Sequence, residues 1–342
     1  MPVTRPLQIY LTVSCLVVLG FARAYGQNAK TGRYYYIGAV GNKPAQMDVT
    51  FDGHHLDGNL FYTNGGFPLK ISGSVQKNGH VEINVKGSEQ IHGKMNGTAA
   101  RDHTEINGKW KPNDSRKDQP FHFIKVAEYL KSSIQQGTLI SLTALYPYFI
   151  FKNHTGQMIN SKLQDSVLDR QRNFLQDGQE MNSGKTKSTV GWQQKINYQI
   201  TYFSTDLISI AGNIYIYTGG AHGMSNPLTN NFYITNGHVE LLRLGDLFKP
   251  DVAYEEYLSR ICLKNLYKKG ATWVKNGEVN HLAGPDLHHF TISPRGLTFY
   301  FPPYIVGPYS DGTFIVNIPF DSLQNYLNRN GPLQDLLSVP RD

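Results

Sequence analysis

Met47-Asp48-Val49-Thr50-Phe51-Asp52-Gly53 alternates apolar and polar side chains, then closes on a dipeptide that tolerates positive φ. The same unit recurs on both sides of it. Tyr34-Tyr35-Tyr36-Ile37 comes before, and Leu60-Phe61-Tyr62, Leu69-Lys70-Ile71 and Val81-Glu82-Ile83 follow at a spacing of about 8 to 12 residues. Asn64-Gly65-Gly66, Asn78-Gly79, Asn96-Gly97 and Asn107-Gly108 supply further turn chemistry. This spacing predicts an all-β, Gly-rich meander over residues 33–125. Some seven or eight strands in about 90 residues curl into a barrel or a strongly bent sheet, because closure removes unpaired edges. Pro120-Phe121-His122-Phe123 reads as the closing strand, and Val126 to Gln136 as a linking helix that ends at Gly137.

From residue 138 to 335 the pattern turns to mixed α and β. Ser161-x-x-Gln164 has the form of a capping box, Leu163, Val167, Phe174 and Leu175 form an apolar stripe, and Gly178 ends it. A second helix is expected from Asp251 to Lys269, with Glu255 and Glu256 near its start, Lys268 and Lys269 near its end, and Gly270 after it. Its apolar face takes Tyr254, Leu258, Ile261 or Cys262, and Leu266. Asp321-x-x-Gln324 opens a third, short helix. Between them, Ile196, Tyr198, Ile200 and Tyr202 alternate, as do Ile208, Ile210, Ile214 and Ile216 across an expected bulge at Gly212. Strands and helices do not alternate strictly, so the expectation is an α+β unit: an antiparallel sheet with helices packed on one face. Met181 to Thr189, polar and rich in Gly, Ser and Lys, reads as a loop.

The chain of 342 residues is long enough for two domains, and 40% hydrophobic against 17% charged residues lets it bury cores. Residues 1–24 read as an export signal: Arg5, an apolar stretch from Leu7 to Phe21, then the small-x-small site Ala22-Arg23-Ala24. Cys15 lies inside that stretch and not at its end, which argues against a lipid-anchored form. A periplasmic or secreted protein with no membrane span is therefore expected. Removing Arg5 and Arg23 lowers the formal net charge from +7 to +5 and leaves Cys262 as the one cysteine, at an apolar position of the second helix. No basic run interleaved with aromatics points to nucleic acid.

Motif tests narrow the chemistry. Gly184-Lys185-Thr186 resembles the end of a phosphate-binding loop, but residue 179 is Gln where that loop needs Gly. His80-Val81-Glu82 and His238-Val239-Glu240 each place two metal-capable side chains on one face of a strand, without a third ligand in either stretch. His54-His55 and His288-His289 face opposite sides if extended. The sequence calls for no cofactor and no metal, and it carries no recognisable catalytic motif.

One segment stands apart. Tyr215-Ile216-Tyr217-Thr218-Gly219-Gly220-Ala221-His222-Gly223 ends a strand in small residues around a single histidine, and Asn226-Pro227 turns the chain onward. Gly219 and Gly220 allow close approach of backbone or ligand, and His222 can donate, accept or bind metal. The alternative is a structural turn in which His222 satisfies nearby backbone groups. Tyr217, Gly219, Gly220, His222 and the later Asp246 are the candidate ligand-binding residues, with no catalytic assignment.

Thr218-Gly219-Gly220-Ala221-His222-Gly223, followed by Gly237-x-Val239-x-Leu241-x-x-Leu244-x-Asp246-Leu247-Phe248, resembles an extracellular bacterial domain of unknown function. That domain is shared by lysozyme-sensing anti-sigma factors and some peptidoglycan deacetylases. Leu297-x-Phe299-x-Phe301-x-x-Tyr304-x-Val306-x-Pro308-Tyr309-x-x-Gly312 and Ile318-Pro319-Phe320 extend the likeness, and Tyr146-Pro147 and Ile159-Asn160 fit a companion region before it. The resemblance covers about 138 to 335 and implies an α+β fold; the β unit before it is not recognised. The chain departs from those relatives in showing a cleavable signal but neither a membrane span nor the separate catalytic domain, so the expectation is an exported, non-catalytic envelope protein whose ligand is a cell-wall glycan or an envelope protein such as lysozyme. A mature chain at +5 offers basic lysozymes no long-range attraction, which favours a glycan or another envelope protein over lysozyme. The rival expectation is an envelope hydrolase using His222 with Asp246.

Overall fold

The computed structural model describes residues 31–338 apart from 64, 66, 88–90, 115–116, 152 and 184–190. The export segment and Gly184-Lys185-Thr186 lie outside the described residues. Strands β1 (Gly32–Val40), β2 (Lys43–Asp52), β3 (His55–Tyr62), β4 (Leu69–Val75), β5 (His80–Lys86), β6 (Ile91–Ala99), β7 (Glu105–Pro112) and β8 (Gln119–Gln136) pair antiparallel in chain order. β8 returns to β1, from Tyr34↔Glu128 to Val40↔Phe121, and closes an antiparallel barrel. Alternation sends Tyr36, Met47, Val49, Phe51, Leu56, Ile83, Met95 and Phe123 inward, where they fill the barrel with apolar side chains.

Of five turn expectations two hold, two do not, and Asn64-Gly65-Gly66 falls largely outside the described residues. Gly53 (φ 62) and Gly79 (φ 86) make the tight turns that Asp52-Gly53 and Asn78-Gly79 announce. Asn96-Gly97 and Asn107-Gly108 instead sit inside β6 and β7, with Gly97 directly opposite Gly108. A Cβ on either would collide with the facing backbone carbonyl, so these glycines let two strands close up where a small barrel bends.

The linking helix expected over Val126–Gln136 is strand instead. β8 runs without a break from Gln119 to Gln136, and Phe121, Phe123, Lys125, Ala127 and Tyr129 are buried at a period of two. Its second half pairs with β9 (Ile140–Phe149), from Ala127↔Phe149 to Gln136↔Ile140, around a turn at Gly137 (φ 57). Ladder pairing with β9 along Ala127–Gln136, continuing the run already paired with β1 up to Glu128, outweighs the helical preference of Ala, Glu, Leu, Lys and Gln. One strand is thus both a wall of the barrel and the edge from which an open sheet grows.

That sheet continues through α1 (His154–Ser183) to β10 (Trp192–Phe203), β11 (Leu207–Tyr217), β12 (Met224–Thr235) and β13 (His238–Leu241). β9 and β10 are parallel because α1 crosses over between them; the other pairings are antiparallel. α1 begins at His154, so Ser161 lies within it and caps nothing, and it absorbs Met181 to Ser183 of the expected loop. Ile159, Leu163 and Val167 dock it on the sheet, while the Asn160 carboxamide pairs with both backbone groups of Phe149 at 2.8 Å each. Ile196, Tyr198, Ile200 and Tyr202 are buried as the alternation requires, but the register shift falls between Ile200 and Tyr202 rather than at Gly212.

A second core forms around α2 (Tyr254–Lys269), α3 (Thr272–Lys275), the sheet of β14 (Phe290–Ser293), β15 (Gly296–Phe301) and β16 (Phe314–Pro319), and the short helices α4 (Phe320–Leu323) and α5 (Gln334–Ser338). α2 buries Leu258, Cys262 and Leu266 and ends at Gly270 in the left-handed conformation. The helix expected at Asp321 starts one residue earlier and lasts a single turn.

Polar side chains fasten the barrel to β10. Arg33 grips Asp48 through Nε and Nη2 at 2.7 and 2.6 Å. The Tyr129 hydroxyl donates to Asp48 at 3.1 Å and accepts from the Ile200 amide at 3.0 Å. Burial and the Asp48 charge push the Tyr129 phenol far above its usual range, so it stays protonated and keeps donating.

Candidate functional site

The turn from β11 to β12 gathers four of the five candidate residues. Gly219 (φ 108) and Gly220 (φ 91) both take the left-handed backbone that their lack of a Cβ permits. The Tyr217 hydroxyl donates to the Gly220 carbonyl at 3.0 Å, and the Tyr309 hydroxyl donates to the Gly223 carbonyl at 2.6 Å. His222 lies flat on Tyr309, ring centres 3.7 Å apart and planes at 14°, while its Nδ1 is 3.3 Å from the Gly223 carbonyl. The two tyrosines hold the turn, and the outer side of the exposed His222 ring faces solvent.

Tyr304 completes this face. It is a non-glycine residue at φ 73, its amide donates to the Gly307 carbonyl at 2.8 Å, and its side chain is 51% exposed with the ring centre 6.4 Å from that of Tyr309. A bulky residue in left-handed backbone costs on the order of 1–3 kcal/mol, and such strain persists only where the surroundings impose it. Sequence reasoning did not assign Tyr304 and Tyr309 to the site. Their signal was local, in Pro302-Pro303-Tyr304 and Gly307-Pro308-Tyr309, where aromatics follow prolines in a loop.

Asp246 is elsewhere. Its Oδ2 accepts from the Arg243 amide at 2.7 Å and caps the 3₁₀ turn Leu244–Leu247. It lines a cleft of about 570 Å³ with Tyr233, Glu240, Asp251 and Tyr254. That cleft follows β13, which pairs with Phe232–Thr235 at the opposite end of β12 from the His222 turn. The structure therefore does not pair His222 with Asp246.

The remaining histidines separate as well. His80 Nε2 lies 3.6 Å from Glu82, and among the described residues no group of three metal-capable side chains forms. His288 and His289 are not on a strand, and their rings meet at 3.7 Å instead of facing apart. Burial and the neighbouring His288 push His289 down to about 4.

A different concavity lies where the barrel meets the C-terminal sheets. This cleft of about 560 Å³ is lined by Asn59, Phe61 and Lys70 from the barrel, Gln199 and Thr201 from β10, and Arg295, Thr298 and Asn317 from the β14–β16 sheet. The Arg295 guanidinium sits 3.5 Å above the centre of the Phe67 ring, which is 70% exposed.

Comparison with known proteins adds to this geometry. A family model described as deacetylase PdaC matches residues 134–225, and one described as a protein of unknown function, DUF3298, matches residues 245–321. These stretches contain the Gly-Gly-Ala-His-Gly turn and the Asp-Leu-Phe motif, whereas neither model reaches the barrel strands before β8. Over 197 residues, 57% of this chain, the protein is 24% identical to the peptidoglycan-N-acetylmuramic acid deacetylase PdaC of Bacillus subtilis. The match spans 39% of that deacetylase's length. Solved structures of DUF3298 family proteins are also similar. The one from Pseudomonas aeruginosa has a TM-score of 0.45 at 16% identity, covering 60% of this chain and 94% of the other. The one from Bacteroides fragilis has a TM-score of 0.39 at 17% identity, covering 62% and 97%. The C-terminal part of the chain thus carries DUF3298 and PdaC-type sequence, and the N-terminal barrel stands outside both.

Proposed function

We propose that this is an exported cell-envelope protein that binds a cell-wall glycan through the face built by Tyr304, Tyr309, Tyr217 and His222. The observation that carries the proposal is Tyr304: an aromatic ring kept exposed at φ 73, beside a tyrosine stacked on a histidine. Aromatic faces take up the apolar side of a pyranose ring, and the imidazole edge and phenol hydroxyls add directional hydrogen bonds. The similarity to a peptidoglycan deacetylase supports an envelope setting, and the signal-like segment at 1–24 supports export. Binding without turnover fits the separation of His222 from Asp246, since the turn offers no carboxylate from among the candidate residues to serve as its acid or base.

The test pairs retention on purified, insoluble peptidoglycan with an assay for released products on the same material. Retention without product release is expected, reduced severalfold by Tyr304→Ala. Rapid product release that His222→Ala abolishes would overturn the binding reading in favour of a hydrolase.

A further inference from the structure

Two cations line the cleft between the barrel and the C-terminal sheets, Lys70 from the barrel and Arg295 from the C-terminal part. Lys70 projects from β4, where it is exposed and opposite Asn59. Arg295 comes from the β14–β15 turn, whose Gly296 (φ 152) admits no Cβ because the Ile318 carbonyl is too close. That crowding fixes the turn, and the Phe67 ring under the guanidinium fixes its plane. Among the described residues neither cation has a carboxylate partner. Asp48 is the acidic residue that lines the cleft, and it is already committed: Arg33 binds it through two bonds and Tyr129 donates a third. The cleft therefore presents two positive charges that nothing on its walls neutralises.

The rest of the lining sets the kind of anion. The amides of Asn59, Gln199 and Asn317 offer both donors and acceptors, and Phe61 offers an apolar face. A simple inorganic anion would use the cations and leave these groups idle. A sugar ring bearing a carboxylate uses all three kinds of contact, with the guanidinium fork matched to the carboxylate.

We infer that this cleft is a second binding site, selective for carboxylate-bearing saccharides such as N-acetylmuramic acid whose lactyl carboxylate is free of a stem peptide. The choice of sugar rests on the cell-wall reading; the preference for a carboxylate rests on the cleft alone. The cleft contains residues of the barrel as well as of the C-terminal part, so it gives the barrel a role in recognition.

Calorimetric titration of the full chain with N-acetylmuramic acid, N-acetylglucosamine and glucuronic acid tests the inference. N-acetylmuramic acid is expected to bind at least tenfold more tightly than N-acetylglucosamine, and less tightly as salt rises. Arg295→Gln and Lys70→Gln, on separate elements, are each expected to weaken it severalfold. Unaltered binding in both cleft variants, equal binding of the acidic and neutral amino sugars, or no binding of either acidic sugar would overturn the site. Binding of glucuronic acid but not N-acetylmuramic acid, lost in Arg295→Gln, would support a carboxylate cleft and overturn the cell-wall assignment.

Discussion

The Gln46 carboxamide closes on both backbone groups of Phe203: Nε2 donates to the carbonyl at 2.6 Å, and Oε1 accepts from the amide at 3.2 Å. Tyr35 donates a further bond to the same Oε1 at 2.7 Å. A side chain on the barrel thereby does for the end of β10 what a neighbouring strand would do. Gln46→Leu keeps the approximate size and strands three buried polar groups, so it is expected to cost about 2–4 kcal/mol. Urea unfolding monitored by far-UV circular dichroism measures this, and a loss below about 0.5 kcal/mol would show the contact to be incidental.

Tyr304→Gly separates strain from packing at the proposed glycan face. Glycine accepts φ 73 freely, so the substitution is expected to leave the melting temperature unchanged or raise it while retention on peptidoglycan falls. A large drop in melting temperature would assign Tyr304 to the core instead.

The barrel was legible in the sequence because period-two alternation and turn dipeptides are local signals. β8 was not: Val126 to Gln136 has helix-forming composition, and what makes it a strand is pairing with β9 and β1, which the segment itself does not encode. The same limit applies to the site. Gly219, Gly220 and His222 announce themselves within one short stretch, whereas Tyr309 reaches Gly223 from 86 residues away. Asp246 was grouped with His222 by proximity in sequence, and β12 and β13 carry it to the other end of the sheet.

Gly220 tests the turn itself. A Cβ there meets nothing within 4 Å, so any cost of a side chain comes from the backbone at φ 91. Gly220→Val is expected to destabilise the protein by about 1–3 kcal/mol and Gly220→Asn by distinctly less. Equal effects of the two in thermal melts would point to a steric cause.

Acid stability should carry the mark of His289. Its Nδ1 is buried and has no hydrogen-bond partner among the described residues, and its pKa falls from an ordinary 6.5 to about 4. The unfolded chain therefore binds the proton first, so this residue's contribution is intact above about 6.5 and is lost as pH falls toward about 4. His103, lowered in the same direction by burial, adds to the slope. His289→Gln is expected to flatten the dependence of unfolding free energy on pH in that window, and an unchanged slope would remove His289 as its source.

Cys262 is fully buried, and burial pushes its thiol up to about 12. Iodoacetamide at pH 8 is expected to leave it unmodified in the folded protein and to label it in denaturant, as mass spectrometry would show. Rapid labelling under native conditions would mean that the α2 core opens readily.

β8 changes how the molecule would carry load. Two modules joined by a flexible linker stretch at the linker first. Here the connection is an extended strand bonded to β1 and β7 along one length and to β9 along the next. A pull along β8 must shear several ladder hydrogen bonds together, which resists force far better than unzipping them one at a time. A protein engaging a fixed polymer through both its barrel cleft and its distal aromatic face would transmit tension between them as a beam does.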